Sequence, residues 1–139
     1  MLIVKGEKAW LIRFNDGEDL MERLKEIAEE EKLKGATLVS ATGMLKEVEI
    51  AYFTGKEYIS SKHEEALEVV SLQGNLSLKD GKPFYHIHCA LAFPDHTVKG
   101  GHLVKAKVAN TLELFIIPLD FPLVRKEVPG SPLLALERG

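Results

Sequence analysis

The stretch Phe84-Tyr85-His86-Ile87-His88-Cys89-Ala90-Leu91-Ala92-Phe93-Pro94-Asp95-His96-Thr97-Val98-Lys99-Gly100-Gly101-His102-Leu103 decides how this chain is read. Successive side chains of a β-strand point to opposite faces, so residues two apart share one. From Phe84 to Phe93, that rule places Phe84, His86, His88, Ala90 and Ala92 on one face. Tyr85, Ile87, Cys89, Leu91 and Phe93 fall on the other, which is wholly core-like. The segment therefore predicts a half-buried strand with its histidines on the outer side. Pro94-Asp95-His96 reads as a turn and Thr97 to Val108 as the returning strand. A three-residue loop pairs Phe93 with Thr97 and sets His88 opposite His102, and directly opposed residues share a face. A two- or four-residue loop sends His102 to the wrong face unless a bulge at Gly100-Gly101 restores the parity. By either route, three imidazoles gather on one side of a hairpin.

Working outward, Lys79-Asp80-Gly81-Lys82 is a hairpin turn, because Asp-Gly takes positive φ readily. Before it, Ala66 to Leu78 reads as a strand with a bulge at Gly74. Thr37 to Leu45, Glu47 to Phe53 and Thr111 to Ile117 are further strands, and Lys8 to Phe14 opens the set with Trp10, Ile12 and Phe14 on one face. One helix is expected over Glu18 to Lys32, with Leu20, Leu24, Ile27 and Ala28 forming an apolar stripe. Asn15 or Asp16 would cap it, and Lys32, Lys34 and Gly35 would close it. From Pro118 the prolines Pro118, Pro122, Pro129 and Pro132 predict an irregular tail that docks its apolar residues. The expected fold is α+β: a mostly antiparallel, partly barrel-like sheet with one main helix near the N-terminus, in a single compact domain over residues 1–139.

Composition bounds the function. The 139 residues are one domain's worth, and 45% hydrophobic with 28% charged residues is a globular balance. The single cysteine, Cys89, excludes an internal disulfide framework and favours a reduced, cytoplasmic location. A net charge of −3, from 18 basic and 21 acidic residues, argues against a strong electrostatic footprint for nucleic acid or anionic lipid. No apolar run is long enough for a membrane span, and Lys5 and Glu7 bring charge too early for a secretory signal. Lys and Glu are abundant, whereas the side-chain amides are only Asn15, Gln73, Asn75 and Asn110, a bias seen in proteins of hot-living organisms.

Three histidine ligands, His86, His88 and His102, would leave an ion one open position, as sites that bind or activate a ligand do. Zinc is the default ion, and imidazole also suits iron, copper and nickel. The competing reading is a histidine cluster that hydrogen-bonds within a sheet or an oligomer interface. Gly100 and Gly101 would leave backbone room for a ligand. Glu113 is either an exposed strand residue or a partner that orients a ligand imidazole, and Glu68 and Glu113 are the only general-base candidates. Strand parity sends Cys89 to the apolar face as an inert thiol. His63 and His96 read as ordinary exposed residues, and Ser60-Ser61-Lys62-His63 has nothing to enforce a triad. There is no Gly-rich phosphate loop, no C-x-x-C and no H-E-x-x-H. A cupin would carry a glutamate shortly after His-x-His, where Ala92 and Phe93 stand.

His86-Ile87-His88, Gly100-Gly101-His102-Leu103 and Thr111-Leu112-Glu113 together resemble the plants-and-prokaryotes-conserved (PPC) domain. Ala41-Thr42-Gly43-Met44-Leu45, Ala51-Tyr52-Phe53 with Tyr58, Leu67 to Leu72 with Gly74, Pro83 and Arg125 fit the same pattern, over roughly residues 9 to 127, with 128–139 as a tail. The resemblance implies a compact, mostly antiparallel α/β domain that assembles as a homotrimer. It also implies a metal held by His86, His88 and His102, with a small-molecule ligand and no assigned reaction. Plant members follow an AT-hook and bind AT-rich DNA, so a DNA-binding or protein-interaction module is the alternative. This chain has no Arg-Gly-Arg-Pro core, and Glu65-Ala66 stand where plant members carry Gly-Arg in a partner-binding motif. Nucleic acid is accordingly not the expected partner.

Overall fold

The computed structural model describes residues 1–139. Nine strands and one helix follow in the order β1 (Leu2–Lys5), β2 (Trp10–Asn15), α1 (Leu20–Glu30), β3 (Ala36–Phe53), β4 (Tyr58–His63), β5 (Leu67–Lys79), β6 (Lys82–Ala92), β7 (Val98–Pro118), β8 (Leu123–Glu127) and β9 (Leu134–Arg138). All strands belong to one sheet, with the path β1-β2-β7-β3-β5-β8-β9; β4 joins β3, and β6 joins both β5 and β7. Because β5 and β7 each pair with both β3 and β6, these four strands curl into a partial ring. Every pairing is antiparallel except β5 with β8, which meet in parallel at Leu78 and Val124.

The expected helical stripe is the buried one: Leu20, Leu24, Ile27 and Ala28 are all buried. Leu20, Leu24 and Ile27 pack with Ile12 and Phe14 of β2 and with Ile87, Cys89 and Leu91 of β6 in the main core, while Ala28 packs with Ala36 and Leu76 in a smaller cluster. The Tyr85 hydroxyl ties the helix to β6 by donating to the Leu24 carbonyl at 2.8 Å. The cap differs from expectation. Asp19, not Asn15 or Asp16, is the N-cap, and its carboxylate accepts from the Glu22 N–H at 3.0 Å. Asp16 is engaged elsewhere, accepting from the Asn110 N–H at 2.8 Å and Lys46 Nζ at 2.9 Å. At the other end Lys32, one of the three residues expected to close the helix, takes the left-handed position at φ 54.

Other boundaries move for long-range reasons. The two strands expected on either side of Lys46 are one 18-residue strand, β3, bent by register shifts at Leu38/Ser40, Gly43/Met44 and around Glu49. Bulges keep such a strand paired while it turns. The two strands expected on either side of Ala109-Asn110 are likewise one strand, β7. Gly74 is not a bulge: it sits in register opposite Leu38 and Ile87, and the shift falls between Val69 and Ser71. The tail is not irregular, since β8 and β9 form a hairpin from Leu123↔Arg138 to Glu127↔Leu134. β1 and β4 were also not expected from the sequence. The Asp80-Gly81 turn is as read, with φ of 51° and 75° at its two central residues and Lys79 paired with Lys82.

Candidate metal centre

The β6–β7 hairpin closes through the three-residue loop. The Phe93 N–H donates to the Thr97 carbonyl at 2.8 Å, and no shift interrupts the ladder from Ala92↔Val98 to His88↔His102. Ile87, Cys89 and Leu91 are buried while His88 faces solvent, so the strand splits its two faces as the period-2 pattern requires. His102 lies where β7 passes from one neighbour to the other, paired with His88 on one side and Ala51 on the other. The two-residue turn then sets Asn75 opposite His86 and Gln73 opposite His88.

One ring nitrogen from each of His86, His88 and His102 lies within 4.8 Å of the others. His86 Nε2 and His88 Nε2 are 3.2 Å apart. A tetrahedral ion with nitrogen bonds of about 2.0–2.1 Å separates its ligand atoms by about 3.3–3.4 Å, so this pair already stands near the edge length of such a site. Burial, followed by the Arg125 charge and then the neighbouring imidazoles, pushes His86 down to about 4. Burial and His88 lower His102 too. Both rings are thus held neutral at pH 7, with lone pairs free for an ion. His102 Nδ1 is buried with no hydrogen-bond partner, an orphaned group that ligation or a bound solvent molecule would satisfy. The donor set therefore fits a divalent transition metal.

The family model of the Plants and Prokaryotes Conserved (PCC) domain matches residues 1–120. The chain belongs to this family. No curated protein matches it. Its fold is that of a metal-containing protein from Archaeoglobus fulgidus, 34% identical, covering 99% of each chain at a TM-score of 0.86. A plant- and prokaryote-conserved protein from Pyrococcus horikoshii is 32% identical over 96% of this chain and 94% of its own, with a TM-score of 0.82. A candidate DNA-binding protein from Bacteroides thetaiotaomicron shares the fold at a TM-score of 0.92, covering 98% of this chain and 96% of its own, but only 19% of its residues.

In this PCC domain, the remaining residues singled out in the sequence do not join the histidines. Glu113 sits on β7 between Arg13 and Thr42, eleven residues from His102, which is about 36 Å at the usual strand rise. Glu68 is paired with Ala92, four residues along β6 from His88, or about 13 Å. Gly100 and Gly101 lie beside the site but leave no ligand room. A side chain at Gly100 would overlap the Cys89 carbonyl, and one at Gly101 would come 2.7 Å from the Ala51 oxygen. Their role is close strand approach. Cys89 is buried, and that burial raises its thiol to about 11.

The structure brings to the site residues that the sequence alone does not place there. Arg125 on β8 donates from Nη2 to Asn75 Oδ1 at 2.7 Å and from Nε to Ser77 Oγ at 3.3 Å. Its Nη2 also lies 3.4 Å from His86 Nδ1. The Tyr58 ring stands 5.5 Å from the His102 ring. Asn75 was within reach of the sequence, because a two-residue Asp-Gly turn fixes its register opposite His86. Arg125 was not, since its approach depends on β8 meeting β5. No helix of the structure is long and apolar enough to cross a membrane.

Proposed function

We propose that this PCC-domain protein holds one divalent transition metal ion, zinc by default, on His86, His88 and His102. The fourth coordination position is open to a small ligand. The observation that carries this reading is the 3.2 Å separation of the His86 and His88 Nε2 atoms, with the third imidazole in the same cluster. Three ligands rather than four favour a binding or activating site over a structural one. When bound, such an ion polarises whatever occupies its open position. The protein's own part is to keep His86 and His102 neutral and to orient all three imidazoles on a rigid hairpin. The A. fulgidus relative, described as metal-containing, supports the reading without naming the ion.

Our reading further includes a homotrimer working in the cytoplasm. Exposed apolar residues on the sheet, among them Val39, Phe115 and Ile117, favour association with further copies. The DNA-binding alternative is less well supported, because a chain of net charge −3 lacks the charge for a strong counterion-release term. Metal analysis of tag-free protein beside His86→Ala and His102→Ala tests the proposal. About one ion per chain in the wild type and almost none in the variants is the expected result. A trace of metal that is equal in all three would refute it.

A further inference from the structure

His86 and His102 of the cluster line a cleft of about 400 Å³. Its charged groups are Arg125 and Lys79, and no carboxylate lines it. This is a local inversion of the chain's overall acidity. Neither cation has a carboxylate partner, whereas Lys5, Arg23, Lys46, Lys105, Lys107 and Lys126 all do. Arg125 is also fixed in place by its contacts to Asn75, Ser77 and His86, none of which is a carboxylate. The Phe84 ring lies 5.7 Å from its guanidinium carbon. A guanidinium carries five N–H donors in a planar fork that matches a carboxylate. Nη1 donates to no protein atom, so its two N–H groups are unused. A guanidinium stays protonated in proteins, so a permanent charge sits there without its counterion.

The other walls are apolar: Tyr58, Phe84, Leu133 and Leu134, with Pro132 at the β9 end. A fully hydrated inorganic anion has no use for such walls, whereas an apolar substituent gains from covering them.

We infer that this cleft binds a small organic carboxylate bearing an apolar group. Its carboxylate lies between the open side of the histidine centre and the unpartnered Nη1 of Arg125, and Lys79 adds charge. The apolar group covers Phe84, Tyr58 and Leu133. The inference deepens the metal-site reading and rests on it for one of the two carboxylate contacts. Arg125 and Lys79 supply the other from this chain's residues alone.

Isothermal titration calorimetry of zinc-loaded wild-type protein with benzoate, acetate, benzyl alcohol and inorganic phosphate tests it. Benzoate should bind more tightly than acetate or phosphate, and benzyl alcohol should not bind. Arg125→Gln should weaken benzoate by roughly ten- to hundredfold, the loss of a charge-assisted contact, while keeping its metal. Leu133→Ser, at the exposed rim, should weaken benzoate but not acetate, which guards against a general folding defect in the arginine variant. Equal benzoate affinity in wild type and Arg125→Gln would overturn the inference, as would phosphate binding more tightly than every carboxylate. Metal content, measured on each sample, separates the two readings. If wild-type protein takes up no zinc, the metal reading fails. The carboxylate inference is then judged on the metal-free protein, where benzoate binding must still depend on Arg125.

Discussion

His88 and His102 face each other across the β6–β7 hairpin, paired in register with ring centroids 5.8 Å apart. His86 completes the triangle at 5.0 Å from the first ring and 5.3 Å from the second. The three rings come from two strands locked in one sheet, so they need little rearrangement to share an ion. Chelation should therefore leave the fold intact but less stable. Zinc at about a hundred times its Kd should add about 2.7 kcal/mol and raise the melting temperature by several degrees. Calorimetry with and without a chelator reads this. A melting temperature indifferent to zinc would count against the site.

The depressed His86 pKa makes a pH prediction for the metal-free protein. Unfolded, the ring takes up its proton near 6.5; folded, it does so only near 4. Between those values the unfolded state binds more protons, so stability rises with pH across the window and is lost as pH falls through it. Thermal melts at pH 4.5 and pH 7 should differ more in wild type than in His86→Asn. Equal pH slopes in the two proteins would contradict the placement of His86.

Gly74 tests how tightly the site's own backbone is packed. A Cβ there would overlap the His86 carbonyl oxygen and lie 2.9 Å from Ile87 Cα. Gly74→Ala must push β5 away from β6, at a cost of about 1–3 kcal/mol by the overpacking rule, and should lower zinc affinity as well. Gly17→Ala is the contrast: its φ is 82° but nothing lies near its Cβ, so it should lose stability through backbone strain alone and leave zinc binding unchanged. Denaturant melts and zinc titrations of both variants distinguish these outcomes.

Cys89 should be silent in the native state. It is 5% exposed, and burial pushes its thiol up to about 11. Iodoacetamide at pH 8 should label it only after denaturation, since the thiolate is the reactive form. Rapid labelling of native protein would mean that the core face of β6 is open.

The donor geometry was largely legible because its causes are local. Period-2 parity separates His86 and His88 from Cys89, and loop length sets His88 opposite His102; both are properties of a short run of chain. The cap of α1 was less legible. Asn15, Asp16 and Asp19 are all competent caps by residue type. Asp16 is withdrawn by Lys46 and Asn110, which are distant in sequence. Glu113 takes the exposed-strand reading and not the ligand-orienting one for a similar reason: alternation gives its face, but nothing local says how far along β7 the histidines lie.

The sequence by itself determined that β6 shows two histidines to one side, that Asp80-Gly81 turns the chain and that one helix buries Leu20, Leu24, Ile27 and Ala28. These follow from side-chain periodicity and permitted φ, which operate over a few residues. Only the tertiary structure decided that β3 and β7 run unbroken, that the tail forms a hairpin and that Arg125 comes beside His86. Those outcomes depend on pairings such as Leu78 with Val124, between residues 46 positions apart in the chain. Such a pairing forms only when the whole sheet's burial repays the entropy of closing so long a loop, a balance that no short window of sequence records.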